Sequence, residues 1–378
     1  MEEFFWALTG PFFFMRDLVK GAVYGALIMD ASAAPTHWMY GGAMQVRSVY
    51  GGLLEAYTKP VEHLAGSIMS KSNTGGGGRG GYEGDVIGKV IFHDKKKFWA
   101  PGADYHYHHM LAAGENTLEG SLLMRTIDVL AHNKGTFSQA ALTDDYIQFM
   151  TTPNSHNDTY CGTCHRMFFG KFANGVPPEE CPDNDGHNVD TCDALVTTIP
   201  VAFAASQDAK ASQEAAEMVH ITRDAALAAE TARNFALALR SVARGESSAR
   251  EAAENLGKQV GLDVGREAAR TRGNPMTACY LPQSYPAVLV MVHKHAAGND
   301  DTSCSEAFER AVWANANRGG ENVGTGALIG ALLGAECGFA QLPSHLVSGL
   351  KAQTHDDLEA RVEAFLDSLP FLSSQECS

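Results

Sequence analysis

The sequence predicts an all-α fold, and three observations carry that expectation. An Ala-rich, Pro-free stretch runs from about Gln207 to Gly245, glycines recur four residues apart in two distant apolar stretches, and only one short segment has β character. The chain has 378 residues, 45% hydrophobic and 19% charged, below the ~25% charged of an ordinary soluble domain, so surface is scarce and the core is large.

Taken in order, the apolar start from Phe4 to Phe14 follows Glu2 and Glu3 rather than basic residues and contains Gly10 and Pro11, so it is expected to be docked chain rather than a signal peptide. Gly21 and Gly25 come next at helical spacing. The segment Ser72 to Tyr82 has no periodicity and is expected to be a mobile loop. Val86, Val90 and Phe92 around Gly88 predict a small β-hairpin, part of an insertion over 83–102. From Gln207 to Gly245, the spacing of Phe235, Leu239 and Val242 predicts one core helix or a pair. Gly326, Gly330 and Gly334 lie four apart beside Leu328, Leu332 and Leu333. Each glycine costs a helix about 0.5–1 kcal/mol relative to alanine, which close packing must offset, so the two glycine stripes are expected to touch. No internal repeat or interdomain linker is visible, which predicts a single domain over 1–378.

The formal charge is 29 − 44 = −15, and the only basic run is Lys95-Lys96-Lys97, so binding to a nucleic-acid backbone is disfavoured. No run of ~18 apolar residues is free of Gly, Pro and charge, so no membrane span is expected. Eight irregularly spaced cysteines predict reduced thiols and a cytoplasmic location.

Two tetrapeptides share a pattern, and each precedes a predicted helix: Gly114-Glu115-Asn116-Thr117 and Gly320-Glu321-Asn322-Val323. One reading is capping, with Asn116 and Glu119 at capping-box spacing. The other is a pair of converging helix starts whose oxygens hold a hard cation or a phosphate. Cys161-Gly-Thr-Cys164-His165 matches a haem-attachment pattern, but no haem is expected without an export signal. A zinc knuckle from Cys161, Cys164 and His165 with Cys181, His187 or Cys192 lacks regular spacing, and buried thiols are the plainer expectation. Asp183-Asn-Asp185-Gly186 begins like a calcium loop but meets cysteine where oxygen ligands belong. The run Tyr105 to His109 precedes the Glu115 motif and can line the same cleft, where its rings stack on a nucleobase, or simply pack a helix start, and His293 and His295 are expected at the surface.

The segment Asn317 to Ala335 (NRGGENVGTGALIGALLGA) resembles the C-terminal signature of ADP-ribosylglycohydrolases, Gly25 to Trp38 resembles that family's N-terminal Gly-Asp-Ala segment, and Gly114 to Thr117 falls where the family has Thr-Asp-Asp-Thr. Within it, Asp30 to Tyr40, Ala113 to Leu122, Ser155 to Phe169 and Asp183 to Leu195 resemble the branch holding J-type crystallins and selenoprotein J. The resemblance implies a compact helical domain whose cleft holds two magnesium ions and cleaves the bond between ADP-ribose and its acceptor.

The sequence departs from that pattern at the ligands: His37 replaces a glutamate, and Glu115, Asn116, Glu321, Asn322 and Val323 stand among family aspartates and threonine, while Asp30 and Thr117 are retained. Each lost ion pair is worth about 4 kcal/mol at 4 Å in an effective dielectric near 20. The resemblance then implies at most one weakly held magnesium, on Glu115, Asn116, Glu321 and Asn322. Asn116, Thr117, Asn322 and Asp30 are expected to bind ligand, and Glu115, His37, Asp158 and His165 to carry catalysis. The acid-rich stretch Asp183 to Asp193 is read either as a solvated acidic turn, the plainer expectation, or as a loop over the cleft on which Asp158, His165, Asp185 and His187 supply acid and base. ADP-ribose or an ADP-ribosylated substrate is the implied partner. Two functions stay open: a glycosidic hydrolase with a depleted metal site, or a non-catalytic ligand-binding or crystallin-like structural protein.

Overall fold

Two glycine-striped helices cross at the centre of the molecule. The computed structural model describes residues 2–71, 84–184, 188–298, 302–351 and 355–372. The N-terminal helix Glu2–Ala33 packs along Gly324–Cys337 more extensively than any other helix pair. Nearly every residue of Gly324–Cys337 is buried, as an apolar helix without a polar face requires. A Cβ added at Gly25 would collide with the Gly330 carbonyl, and one at Gly21 with the Gly334 carbonyl. The expected contact of the stripes is therefore present, while Gly326 makes room for the Asn315 side chain instead.

Around this pair, sixteen α-helices are found among the described residues. The stretch predicted as one helix or two is the pair Asp208–Val219 and Ala226–Ala243, with Phe235, Leu239 and Val242 buried. Leu118–His132 packs against His355–Ser368 and follows the first tetrapeptide; Gly324–Cys337 follows the second. No described helix is long and apolar enough to cross a membrane.

Several expectations are corrected. In place of a hairpin, Val86–Lys89 forms a single turn in which Gly88 takes φ 95°, and the nearest β feature is an isolated bridge between Ile87 and Ile91. The turn satisfies its own backbone, with Val90 N and Ile91 N both donating to Val86 O, so no partner strand is needed. Segment 72–82 lies outside the described residues. Lys95 is buried, its ammonium donating to the carbonyls of His156 and Asp158 at 2.7 and 2.8 Å, so the basic run is partly structural. Cys304 and Cys337 form a disulfide between the start of Cys304–Arg318 and the end of Gly324–Cys337, overturning the reading of all cysteines as reduced thiols. His293 and His295 are half-buried rather than surface residues, and His293 pairs with Glu254 at 3.1 Å.

Candidate active site

Gly319 and Gly320 take φ of 66° and 65°, a left-handed pair that costs glycine little. Side chains there would strike Met39 O and Thr277 O, because the loop threads between two other segments. Trp38 N donates to Gly320 O at 2.8 Å and Glu321 N to Thr277 O at 2.8 Å. Glu321 is thereby presented beside His37 and Trp38. Trp38 itself takes φ 59°, an uncommon conformation for a large residue, held by these bonds.

The first tetrapeptide is organised by Asp30. This buried carboxyl accepts from Thr117 N, Thr117 Oγ1 and Asn116 Nδ2 at 2.9, 2.6 and 2.8 Å. Thr117, not Asn116, caps Leu118–His132, its hydroxyl accepting from Glu119 N at 3.2 Å. That one-residue shift releases the Glu119 side chain from the expected capping box and lets it line a cavity.

A buried chain of four side chains joins the two corners. Glu321 Oε2 lies 3.1 Å from His37 Nε2, His37 Nδ1 lies 2.7 Å from His108 Nε2, and His108 Nδ1 lies 2.7 Å from Asp158 Oδ1. Three hydrogen bonds need three protons. With both carboxylates ionised, two neutral imidazoles supply only two, so the chain is complete when His108 is an imidazolium donating to Asp158 and to His37, which in turn donates to Glu321. Burial is the largest single influence on the His108 imidazole and would lower it, but the charge and hydrogen bond of Asp158, joined by the charges of Asp30 and Glu321, together raise it. Burial alone would raise Asp158, but His108 and the Leu118 N–H, donating at 2.7 Å, hold it down at about 2. Burial would likewise raise Glu321, yet His37 and the Trp38 indole lower it.

Glu321, His37, His108 and Asp158 line a cavity of about 310 Å³, within the range of small-ligand sites. Trp38, Tyr40, Tyr160 and Tyr280 line it too, with Trp38 and Tyr160 in edge contact at 4.9 Å between centroids. Further round are Glu119, Asp193, Cys164 and Arg166. Glu119 is pushed up by burial, against the opposing effect of His165. Burial would raise Asp193 as well, but Arg223 holds it at about 2.

The structure thus brings His37, Thr117, Asp158 and Glu321 to one cavity. It does not bring the others there. Glu115 accepts from Ala112 N at 2.8 Å and Asn157 Nδ2 at 2.6 Å, away from the cavity. Asn116 donates to Leu27 O and Asp30, and Asn322 to Thr36 Oγ1 at 2.8 Å, so both amides tie helices together. Asp30 acts through Thr117 without reaching the cavity wall, and His165 lines a neighbouring cavity. Asp185 and His187 lie outside the described residues. Of the expected magnesium ligands, only Glu321 faces the cavity, with both oxygens already accepting hydrogen bonds. The oxygen-rich donor set that magnesium needs is not assembled by these four residues.

Sequence reasoning offered His108 only as one of five residues in a run beside the cleft, and missed Trp38, Glu119, Asp193 and Tyr160 as cavity residues. His108 sat in the noted aromatic run, yet Tyr105 and Tyr107 from that run do not line the cavity. What distinguishes His108 is a partner 50 positions away, which local spacing does not reveal.

A sequence model of the ADP-ribosylglycohydrolase family matches residues 14–372. No curated protein matches the chain. A solved structure described as an ADP-ribosylglycohydrolase-related protein complex is similar to it, with a TM-score of 0.60 and 18% identity over 95% of this chain and 99% of that one. That likeness speaks to the fold.

Proposed function

The chain belongs to the ADP-ribosylglycohydrolase family, and we propose that it hydrolyses the glycosidic bond of an ADP-ribosyl or related nucleotide-sugar substrate bound in this cavity. The observation that carries the reading is the Glu321–His37–His108–Asp158 chain, which ends on the cavity wall at a carboxylate held ionised. Glu321 Oε2 accepts from His37 and Trp38 and Oε1 from Gly324 N, so of its roughly four acceptor positions one on Oε1 remains. That position suits a water. As the bond from the anomeric carbon to the acceptor breaks, the electron pair leaves with the acceptor atom and positive charge grows on the sugar. Glu321 stabilises that charge and takes the proton from water as its oxygen bonds to the anomeric carbon. The aromatic wall offers faces for the nucleobase, and the Arg166 guanidinium suits a diphosphate.

The test is release of ADP-ribose from ADP-ribosylated peptides. Glu321→Gln is expected to lower turnover by about 10²–10⁴-fold while leaving ligand binding measurable. Wild-type protein that neither binds ADP-ribose nor releases it overturns the reading. Binding without turnover favours the second reading, a non-catalytic ligand-binding or crystallin-like protein. That reading is supported by the withdrawal of Glu115, Asn116 and Asn322 into structural bonds.

A further inference from the structure

We propose that Cys164 Sγ, His165 Nε2 and an Asp193 carboxylate oxygen form a binding site for a borderline divalent cation of the zinc class, set between the main cavity and its smaller neighbour. One potential ligand atom from each of the three residues lies within 4.8 Å of the other two, the only such grouping of three or more among the described residues. Cys164 and Asp193 line the main cavity, while His165 and Asp193 line the smaller one, of about 30 Å³. The site therefore has an entry path.

The second observation is His165. Its side chain is 2% exposed, yet Nε2 has no hydrogen-bond partner, and Glu119 Oε1 stands off at 3.6 Å. A buried ring nitrogen left unsatisfied calls for a cause, an absent ion among them. The other nitrogen, Nδ1, lies 2.7 Å from Tyr146 OH. When Nδ1–H donates to that hydroxyl, the tautomer is fixed and the Nε2 lone pair is aimed at the cluster, the arrangement that outer partners impose on metal-binding histidines. Arg223 plays a similar part for the anionic ligands, donating to Cys164 Sγ at 3.0 Å and to Asp193 Oδ2 at 3.1 Å.

The donor set decides the class of metal. Thiolate, imidazole and carboxylate together suit zinc or cobalt, whereas magnesium demands oxygens. Three protein ligands leave a fourth position open towards the main cavity. A cation here also draws Glu119 towards its ionised form. Of the residues weighed in the sequence for a zinc knuckle and set aside there, Cys164 and His165 belong to this grouping, Cys161, Cys181 and Cys192 do not, and His187 lies outside the described residues; Asp193 was not among them.

Chelator-treated full-length protein titrated with cobalt(II) under exclusion of air tests the site. One equivalent is expected to produce a near-ultraviolet thiolate-to-cobalt absorption that disappears in Cys164→Ser and survives in Cys161→Ser. In wild-type protein, one equivalent of zinc should also slow alkylation of Cys164, read by mass spectrometry, at least tenfold, which keeps the test open if the serine variant does not fold. Absence of both effects in the wild type overturns the proposal: Arg223 alone then neutralises the cluster. Survival of the absorption in folded Cys164→Ser overturns it equally. Neither readout depends on glycosidic hydrolysis.

Discussion

At the scale of single residues, the pair His108 and Asp158 decides the charge of the relay. Asp158 is held below its unfolded value, so its contribution to stability is present above that value and is lost as pH falls through about 2. His108 is raised, so its contribution is complete below the ordinary histidine value and is lost as pH rises above about 6.5 through the folded value. In Asp158→Asn the cause of the His108 shift is removed. The variant should melt lower than wild type near pH 6, and the gap should narrow on the alkaline side as wild-type His108 loses its proton. Thermal scans across pH check this; parallel curves from pH 6 to 10 would mean that the two groups are not coupled. Part of this pair was legible in the sequence. Asp158 was singled out from the resemblance of its segment, but its partner is fixed by packing between 105–109 and 156–160, and only the folded chain brings these together.

At the scale of elements, the contact of the two glycine helices was readable in advance, because glycines four apart on two apolar stretches offset their helix cost by close backbone packing, which Gly330 and Gly334 do and Gly326, facing Asn315, does not. Gly330→Ala puts helix propensity against packing. Alanine gains roughly 1 kcal/mol in a helix, yet its methyl meets the Gly25 carbonyl in a tightly packed crossing, where overpacking costs about 1–3 kcal/mol or more. The net expectation is a lower urea midpoint with an unchanged m-value. A midpoint equal to or above wild type would show that the crossing tolerates an added methyl. The hairpin over 83–102 failed at this same scale. Alternating valines around a glycine fit a strand pair and a tight turn equally well, and the choice fell to Gly88 at φ 95° and to the burial of Val86, Ile87 and Ile91.

At the scale of the whole molecule, the cavity joins Ile68 and residues from 37–40, 108–119, 158–166, 188–193, 278–280 and 321–324, so a ligand there bridges segments far apart in sequence. ADP-ribose at 100 times its dissociation constant should stabilise the fold by about 2.7 kcal/mol, seen as a rise in Tm. The rise should persist in Glu115→Gln, whose carboxyl lies away from the cavity, and shrink in Arg166→Ala. A rise abolished by Glu115→Gln alone would relocate the ligand. By itself the sequence determined the helical class, the family and the two helix starts that flank the site, since periodicity, glycine spacing and capping chemistry are local properties of a chain. Which side chains face the cavity was settled only by tertiary structure. A helix start displaced by one residue, from Asn116 to Thr117, turned Glu119 inward, and burial together with partners dozens of positions away gave each carboxyl its charge.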